Sequence, residues 1–259
     1  MRYLAGFFSD PGNCKNINQD SICLMEALLG EKRCFMGVLC DGMGGEMQGE
    51  VASAAGVKLF KRWFEKRLPV FLRDKKIKNR NVTDEWSVML EELNRNICLY
   101  GARKGIRCGT TISVILIFDD GRYVCAHVGD SRIYILGRKL KQLTQDQSFV
   151  AYEVKHRRMT KEEAKKDERR NILLECVGVN EQINPLFYTG RLNMQRDRIL
   201  MASDGFCHEI SDEEISHLLR KDFKSEEEIR GKLKVVTNMC MKRGERDNIT
   251  AAVICRSND

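Results

Sequence analysis

The sequence predicts an α+β fold in which antiparallel sheets pack together and helices lie outside. Three observations carry that expectation. Apolar runs of strand length open and close the chain, a β-rich meander fills the middle, and long segments of helical period sit in separate blocks between them. No repeat or low-complexity linker interrupts the chain, and its three prolines (Pro11, Pro69, Pro185) mark no seam, so residues 1–259 read as one domain. A domain of that size buries a sizeable core without staples.

Taken in order, Tyr3 to Phe8, Ser21 to Leu28 and Arg33 to Cys40 read as strands separated by the turn-rich pieces SDPGNCKN and LGEK. From Glu46 the period becomes helical, with Val51, Ala54, Ala55, Leu59 and Phe60 on one face through about Lys66. Thr83 reads as the N-cap of a second helix, followed by Asp84 and Glu85 and then Trp86, Met89, Leu90, Leu93 and Ile97 at helical intervals. Thr110 to Phe118, Tyr123 to Val128 and Arg132 to Leu136 are strands joined by the tight turns DDG and GDS. Short helices are expected from Phe149 to about His156 and from Lys161 to Lys166, then strands near Leu186 to Leu192 and Arg198 to Ala202. A helix capped around Ser211, another from Ser225 to Lys242 and a closing strand from Asn248 to Cys255 complete the reading.

Composition narrows the functional classes. Hydrophobic residues at 42% and charged residues at 31% are ordinary soluble usage, which excludes disordered and fibrous classes. No apolar run reaches the ~18 residues of a membrane span, and MRYLAGFFSDPGN is too short in apolar residues for a secretory signal, so the expected compartment is the cytoplasm. The 11 cysteines are odd in number and include no CxxC, which fits reduced core thiols better than a disulfide framework or a zinc ribbon. The net charge of +7 gathers in Lys61 to Arg80 and Lys155 to Arg170. Neither stretch carries a nucleic-acid motif, so an acidic or phosphorylated partner is the expected use of that surface.

Four aspartates fall at strand boundaries: Asp20 before SICLM, Asp41 after MGVLC, Asp204 after ILMAS, and Asp247 before NITAAVIC. Two readings stand side by side. Each can be a turn or helix cap, and DG is a common turn dipeptide. Alternatively the four converge, in which case crowded carboxylates repel and take up protons unless cations neutralise them, and oxygen ligands favour Mg²⁺ or Mn²⁺ over zinc. The glycines of DGMGG (Gly42, Gly44, Gly45) suit the second reading, since bare backbone can turn sharply and offer a carbonyl to the same ion.

The ordered set NQD (Asn18 to Asp20), DGMGGEMQGEVAS (Asp41 to Ser53), CGTT (Cys108 to Thr111), HVGDSRIY (His127 to Tyr134), LTQDQS (Leu143 to Ser148), MTKEEAKKDERRNILLECVG (Met159 to Gly178), LMASDGFCHEISDEEI (Leu200 to Ile215) and RDNIT (Arg246 to Thr250) resembles the metal-dependent serine/threonine phosphatases of the protein phosphatase 2C family, in their compact bacterial form. The resemblance spans essentially the whole chain. It implies a four-layer αββα sandwich of two antiparallel sheets flanked by helices, with a dinuclear Mg²⁺ or Mn²⁺ centre at one edge. In it Asp41 bridges two ions, the Gly42 carbonyl and a water network held by Asp20 complete one shell, and Asp204 and Asp247 hold the other. Asp130, in the GDSR turn, matches the position that helps to bind a third, weaker metal. The implied activity is hydrolysis of phosphoserine and phosphothreonine in proteins by a metal-activated water without a covalent intermediate, and the implied counterpart is a serine/threonine kinase.

Three positions depart from the family pattern. Lys15 stands five residues before Asp20, where an arginine usually grips substrate phosphate, and it keeps the charge without the bidentate fork. Gln19 and Gln147 replace an acidic residue and a histidine that are common in the family. His127, inside an apolar strand, reads as a packed core residue rather than an acid. Met159 to Cys176 matches the family's mobile flap, although a solvated helix pair explains the same composition. A monomeric phosphatase is the favoured reading. Its rivals are a pseudophosphatase that only docks partners, and a metal-dependent nuclease, which lacks the aromatic array for stacking bases.

Overall fold

The computed structural model describes residues 2–44, 48–73 and 78–257. Its strands are β1 (Tyr3–Asp10), β2 (Asp20–Leu29), β3 (Lys32–Gly44), β4 (Cys108–Thr110), β5 (Ile112–Phe118), β6 (Arg122–Val128), β7 (Arg132–Leu136), β8 (Leu140–Gln142), β9 (Leu186–Arg191), β10 (Arg198–Ala202) and β11 (Ile249–Arg256). Its helices are α1 (Gly49–Lys66), α2 (Leu68–Arg73), α3 (Asn79–Lys104), α4 (Phe149–Lys155), α5 (Lys161–Lys166), α6 (Asp204–Cys207), α7 (Asp212–Leu219) and α8 (Glu226–Lys242). One antiparallel sheet runs β1-β11-β10-β7-β8; the other runs β2-β3-β5-β6-β9, with β4 paired to the far end of β3.

Alternation along the strands sets the layer order, because successive side chains leave a strand on opposite faces. On β3, Met36, Val38 and Cys40 pack against α1, α2 and α3, whereas Phe35 and Leu39 face the other sheet. On β10 and β11, Leu200, Ala202, Ala251 and Val253 pack under α7 and α8, whereas Ile199, Met201, Ala252 and Ile254 meet the first sheet. Three apolar layers therefore separate four structural ones, in the expected αββα order. Phe60 and Trp63 of α1 both pack edge-on against Trp86 of α3, with centroids 5.3 Å apart in each pair. Each such pair is worth roughly 0.5–1.5 kcal/mol beyond the area it buries.

Serine and threonine caps start most of the later helices. Thr160 and Ser211 form reciprocal capping boxes with Glu163 and Glu214. All 11 cysteines are free and eight of them are buried, so they act as small core hydrophobes. No helix among the described residues is long and apolar enough to cross a membrane.

Several boundaries differ from the sequence reading. Thr83 is not an N-cap: α3 already begins at Asn79, and the Thr83 hydroxyl bonds back to the Arg80 carbonyl at 3.0 Å inside the helix. The expected helix start at Glu46 lies outside the described residues, as do Gly45 and residues 74–77 of the first basic cluster. The largest difference is at β3, which does not end at Cys40. It continues through Asp41 to Gly44, where Gly42 and Gly44 pair with Thr110 and Cys108 of β4. A polar, glycine-rich tetrapeptide is thus held extended by a three-residue strand from far along the chain, which no local pattern reveals.

Candidate metal centre

The face between the sheets is apolar until the sandwich ends, and there its next positions turn polar. Two residues past Leu39 on β3 comes Asp41; two before Ile22 on β2 is Asp20, the direct register partner of Asp41. On the opposite sheet the same face continues from Met201 to Ser203 and from Ala252 back to Thr250. Two carboxylates and two hydroxyls therefore occupy the places where alternation would put the next core layer.

The backbone around Asp41 is fixed on both sides. Its N–H donates to the Thr111 hydroxyl (3.0 Å), and its carbonyl accepts from the Thr111 N–H (2.8 Å) and the Thr110 hydroxyl (3.0 Å). The Ser131 hydroxyl lies 2.7 Å from that of Thr111, which links this strand end to the turn carrying Asp130. Gly42 has no room for a side chain: a Cβ there would meet the backbone of Gly49, at the start of α1, and the Gln19 carbonyl. Backbone close approach, rather than a sharp turn, is what this glycine permits. The Gln19 amide stands 3.3 Å from both the Gly42 carbonyl and the Gly49 N–H.

Asp204 opens α6, directly after Ser203. Asp247 precedes β11, and its carboxylate accepts from the N–H of Asn248 at 2.8 Å. Asn248 in turn accepts from the Gln19 N–H and donates to the Pro11 and Ile17 carbonyls, so it ties the loop before Asp20 to the start of β11.

Electrostatics show that these carboxylates converge. Neither oxygen of Asp20 has a hydrogen-bond partner, and Oδ1 of Asp204 is equally orphaned and buried. Burial, reinforced by Asp204 and Asp247, raises Asp20 to about 7, although the Thr250 and Ser203 hydroxyls lie near enough to favour its charged form. Burial also raises Asp41, with Asp20, Asp204, Asp130 and Asp247 adding repulsion. Asp204 is raised by burial and by Asp247, against the pull of His208. Asp130 is raised by burial, then by Asp204 and Asp146. Burial and mutual repulsion thus disfavour the charged forms of Asp20, Asp41, Asp130 and Asp204.

Orphaned, mutually repelling carboxylate oxygens are a donor set for hard divalent cations. No three acidic, imidazole or thiol groups among the described residues enclose a single ion by themselves. A hard ion here would complete its shell with carbonyl, water or substrate oxygen, which suits Mg²⁺ and Mn²⁺.

The remaining expected residues fall as follows. Lys15 sits half-exposed at the rim, its Nζ 3.4 Å from Asp247 Oδ1. His127 is fully buried beside Ser113 (Nδ1 to Oγ 2.9 Å), and burial lowers it to about 4, so it is a neutral core residue. Gln147 accepts from the Gly129 N–H (2.8 Å) and so holds the Asp130 turn. Arg132 forks onto Asp146 at 2.7–3.1 Å, which offsets the charge of that guanidinium.

Beside the carboxylates opens a cleft of about 700 Å³, with Asp130, Asp204 and His208 on its floor and Lys155, Lys161 and Lys165 of α4 and α5 on one wall. Lys161 and Lys165 belong to the expected flap, Met159 to Cys176, in which Leu173 bridges Ser148; the next residue after the flap, Val177, bridges Thr110.

Two residues escaped the sequence reading. His208 lies between Asp204 and the buried Glu245, one helical turn after the former. The i,i+4 spacing from Asp204 was the available signal. Nothing in the sequence marked Glu245, whose contacts depend on a turn packing against α6.

Comparison with known proteins places these features in a group. The family described as protein phosphatase 2C matches residues 15–253. Protein phosphatase PhpP of Streptococcus pneumoniae is 32% identical over 249 residues, covering 95% of this chain and 94% of that protein. Among solved structures, serine/threonine phosphatase Stp1 from Staphylococcus aureus superposes with a TM-score of 0.84 at 29% identity, over 100% of this chain and 96% of the other. The catalytic domain of serine threonine protein phosphatase PstP, solved in complex with two manganese ions, superposes with a TM-score of 0.78 at 25% identity, over 99% of each chain.

Proposed function

Because this chain belongs to the protein phosphatase 2C family, a group of metal-dependent protein-serine/threonine phosphatases, we propose that Asp20, Asp41, Asp204 and Asp247 hold two Mg²⁺ or Mn²⁺ ions at the sandwich edge. The chain is a protein-serine/threonine phosphatase, and its substrates are phosphoproteins. The observation that carries the site assignment is the orphaned set of buried oxygens on Asp20 and Asp204.

In this reading Asp41, whose backbone is locked by Thr110 and Thr111, would be a ligand shared by the ions. Asp20 and the Gly42 carbonyl would hold one of them, Asp204 and Asp247 would hold the other, and Asp130 would support a third, weaker site. Such a pair, when bound, lowers the pKa of a water and neutralises charge on the phosphoryl oxygens. The chain contributes positioning. Asn248 fixes the approach of the loop bearing Lys15, Ser131 couples the Asp130 turn to Thr111, and the cleft wall of α4 and α5 faces the substrate protein. Lys15 steers the phosphate from the rim as a point charge. The whole of residues 1–259 acts as one catalytic domain, monomeric and cytoplasmic, opposite a serine/threonine kinase that makes its substrates. A pseudophosphatase has no chemical need to keep all four aspartates, nor the orphaned buried oxygens of Asp20 and Asp204, so that reading is disfavoured.

The test is hydrolysis of a phosphothreonine peptide. We expect turnover that requires Mn²⁺ or Mg²⁺ and disappears with EDTA, with Asp41→Asn and with Asp204→Asn. A folded wild-type protein without metal-dependent turnover would sink the enzyme reading.

A further inference from the structure

Between Asp204 and Asp247 stand two groups to which the mechanism above gives no role. His208 follows Asp204 by one helical turn, with its side chain only 15% exposed. Its Nε2 is 3.8 Å from Asp204 Oδ2, and its Nδ1 is 3.2 Å from Glu245 Oε2. Glu245 is 4% exposed, and its other oxygen accepts from the N–H groups of Arg246 (2.7 Å) and Asp247 (2.9 Å). One imidazole and one buried carboxylate thus join the residue that opens α6 to the residue that precedes β11.

We propose that His208, oriented by Glu245, is a positioning residue that holds the Asp204 carboxylate and sets the affinity of the ion bound between Asp204 and Asp247. The geometry has three parts. The imidazole faces Oδ2 of Asp204, while Oδ1 is left without a partner, so the carboxylate is presented by one oxygen. Nδ1–H donates to Glu245, which fixes the plane of the ring. The two backbone bonds to Glu245 fix that carboxylate against the segment carrying Asp247, so the two ligands cannot shift independently. Outer partners of this kind orient metal ligands, and their loss typically weakens metal binding 10–100-fold. The Nδ1 contact is of hydrogen-bond length, and Nε2 faces Asp204 at ion-pair distance.

The inference rests on Asp204 being a ligand, and the test separates the two claims. Mn²⁺ binding is measured directly, by the EPR signal of free Mn²⁺ without substrate, for wild type, Asp204→Asn, His208→Ala, His208→Gln and Glu245→Gln. We expect Asp204→Asn to weaken binding most, and His208→Ala and Glu245→Gln to weaken it about 10-fold or more. His208→Gln, whose amide reaches the Nε2 position, should recover part of the loss. Wild-type affinity in folded His208→Ala, with Asp204→Asn impaired, overturns the positioning role. Wild-type affinity in Asp204→Asn overturns the ligand assignment beneath it. If His208→Ala does not fold, His208→Gln and Glu245→Gln decide: wild-type affinity in both overturns the proposal.

Discussion

Replacing Gly42 with alanine tests the close approach of β3 and α1 with a single methyl group. Its Cβ would meet the Gly49 carbonyl oxygen first, then lie 2.5 Å from the Gly49 carbonyl carbon and 2.6 Å from the Gln19 oxygen. Van der Waals contact begins at about 3.5 Å, so one side must retreat by about 1 Å. All the obstacles are backbone, and no rotamer change relieves them. Overpacking costs typically 1–3 kcal/mol, and the upper end applies here. At 3 kcal/mol the fall in Tm is roughly 6–12 °C for a domain of this size. The retreat also moves the Gly42 carbonyl, so Mn²⁺ affinity should drop with it. Gly231→Ala is the control: it is an exposed position of α8 with nothing within 4 Å of a Cβ, and should gain roughly 0.5–1 kcal/mol. Thermal unfolding followed by circular dichroism in EDTA isolates the packing effect, and a Mn²⁺ isotherm reports the site. A Gly42→Ala protein that melts within about 2 °C of wild type would refute the close-approach argument. Normal Mn²⁺ affinity in a destabilised variant would instead remove the carbonyl from the ligand set.

Two further outcomes are expected. Asp20 keeps its proton to about 7 when folded and releases it near 3.8 when unfolded. Between those values the folded state binds more protons, so its contribution to stability is lost as pH rises through the window. In EDTA, Asp20→Asn should therefore gain on wild type by a few kcal/mol from pH 4.5 to 7.5, measured by guanidinium denaturation, and parallel curves would refute the burial of a repelled carboxylate. Lys15→Arg should lower KM for small phosphoesters while changing stability by less than about 0.5 kcal/mol, since Lys15 and Asp247 form a half-exposed pair. An unchanged or higher KM would count against a phosphate contact.

The strands of the core were legible because alternation and burial leave a period-2 signature, and the capped helices because serine or threonine precedes an acidic first turn. The extension of β3 through Asp41 and Gly44 was not, since its partner β4 lies more than 60 residues away and has only three residues. Asp20, Asp41, Asp204 and Asp247 could be named as strand-end carboxylates, but their convergence depends on register. Asp20 is opposite Asp41 only because β2 and β3 pair across a hairpin of fixed length, and Asp204 nears Asp247 because β10 and β11 are neighbours. Short sequence distances carried the individual residues, and sheet pairing carried the site.

That dependence also explains why the centre sits where it does. The residues that pack one sheet on the other, Leu39, Met201 and Ala252, belong to the same alternating rows as Asp41, Ser203 and Thr250. A row built to bury apolar groups thus ends on carboxylates and hydroxyls, and burial costs those carboxylates several kcal/mol each while they remain unpaired. The sandwich supplies the rigidity that holds like charges together, and divalent cations bound there would offset the repulsion. On the proposed assignment, metal binding and fold stability would be linked through the same side chains, so metal should raise Tm in wild type far more than in Asp204→Asn.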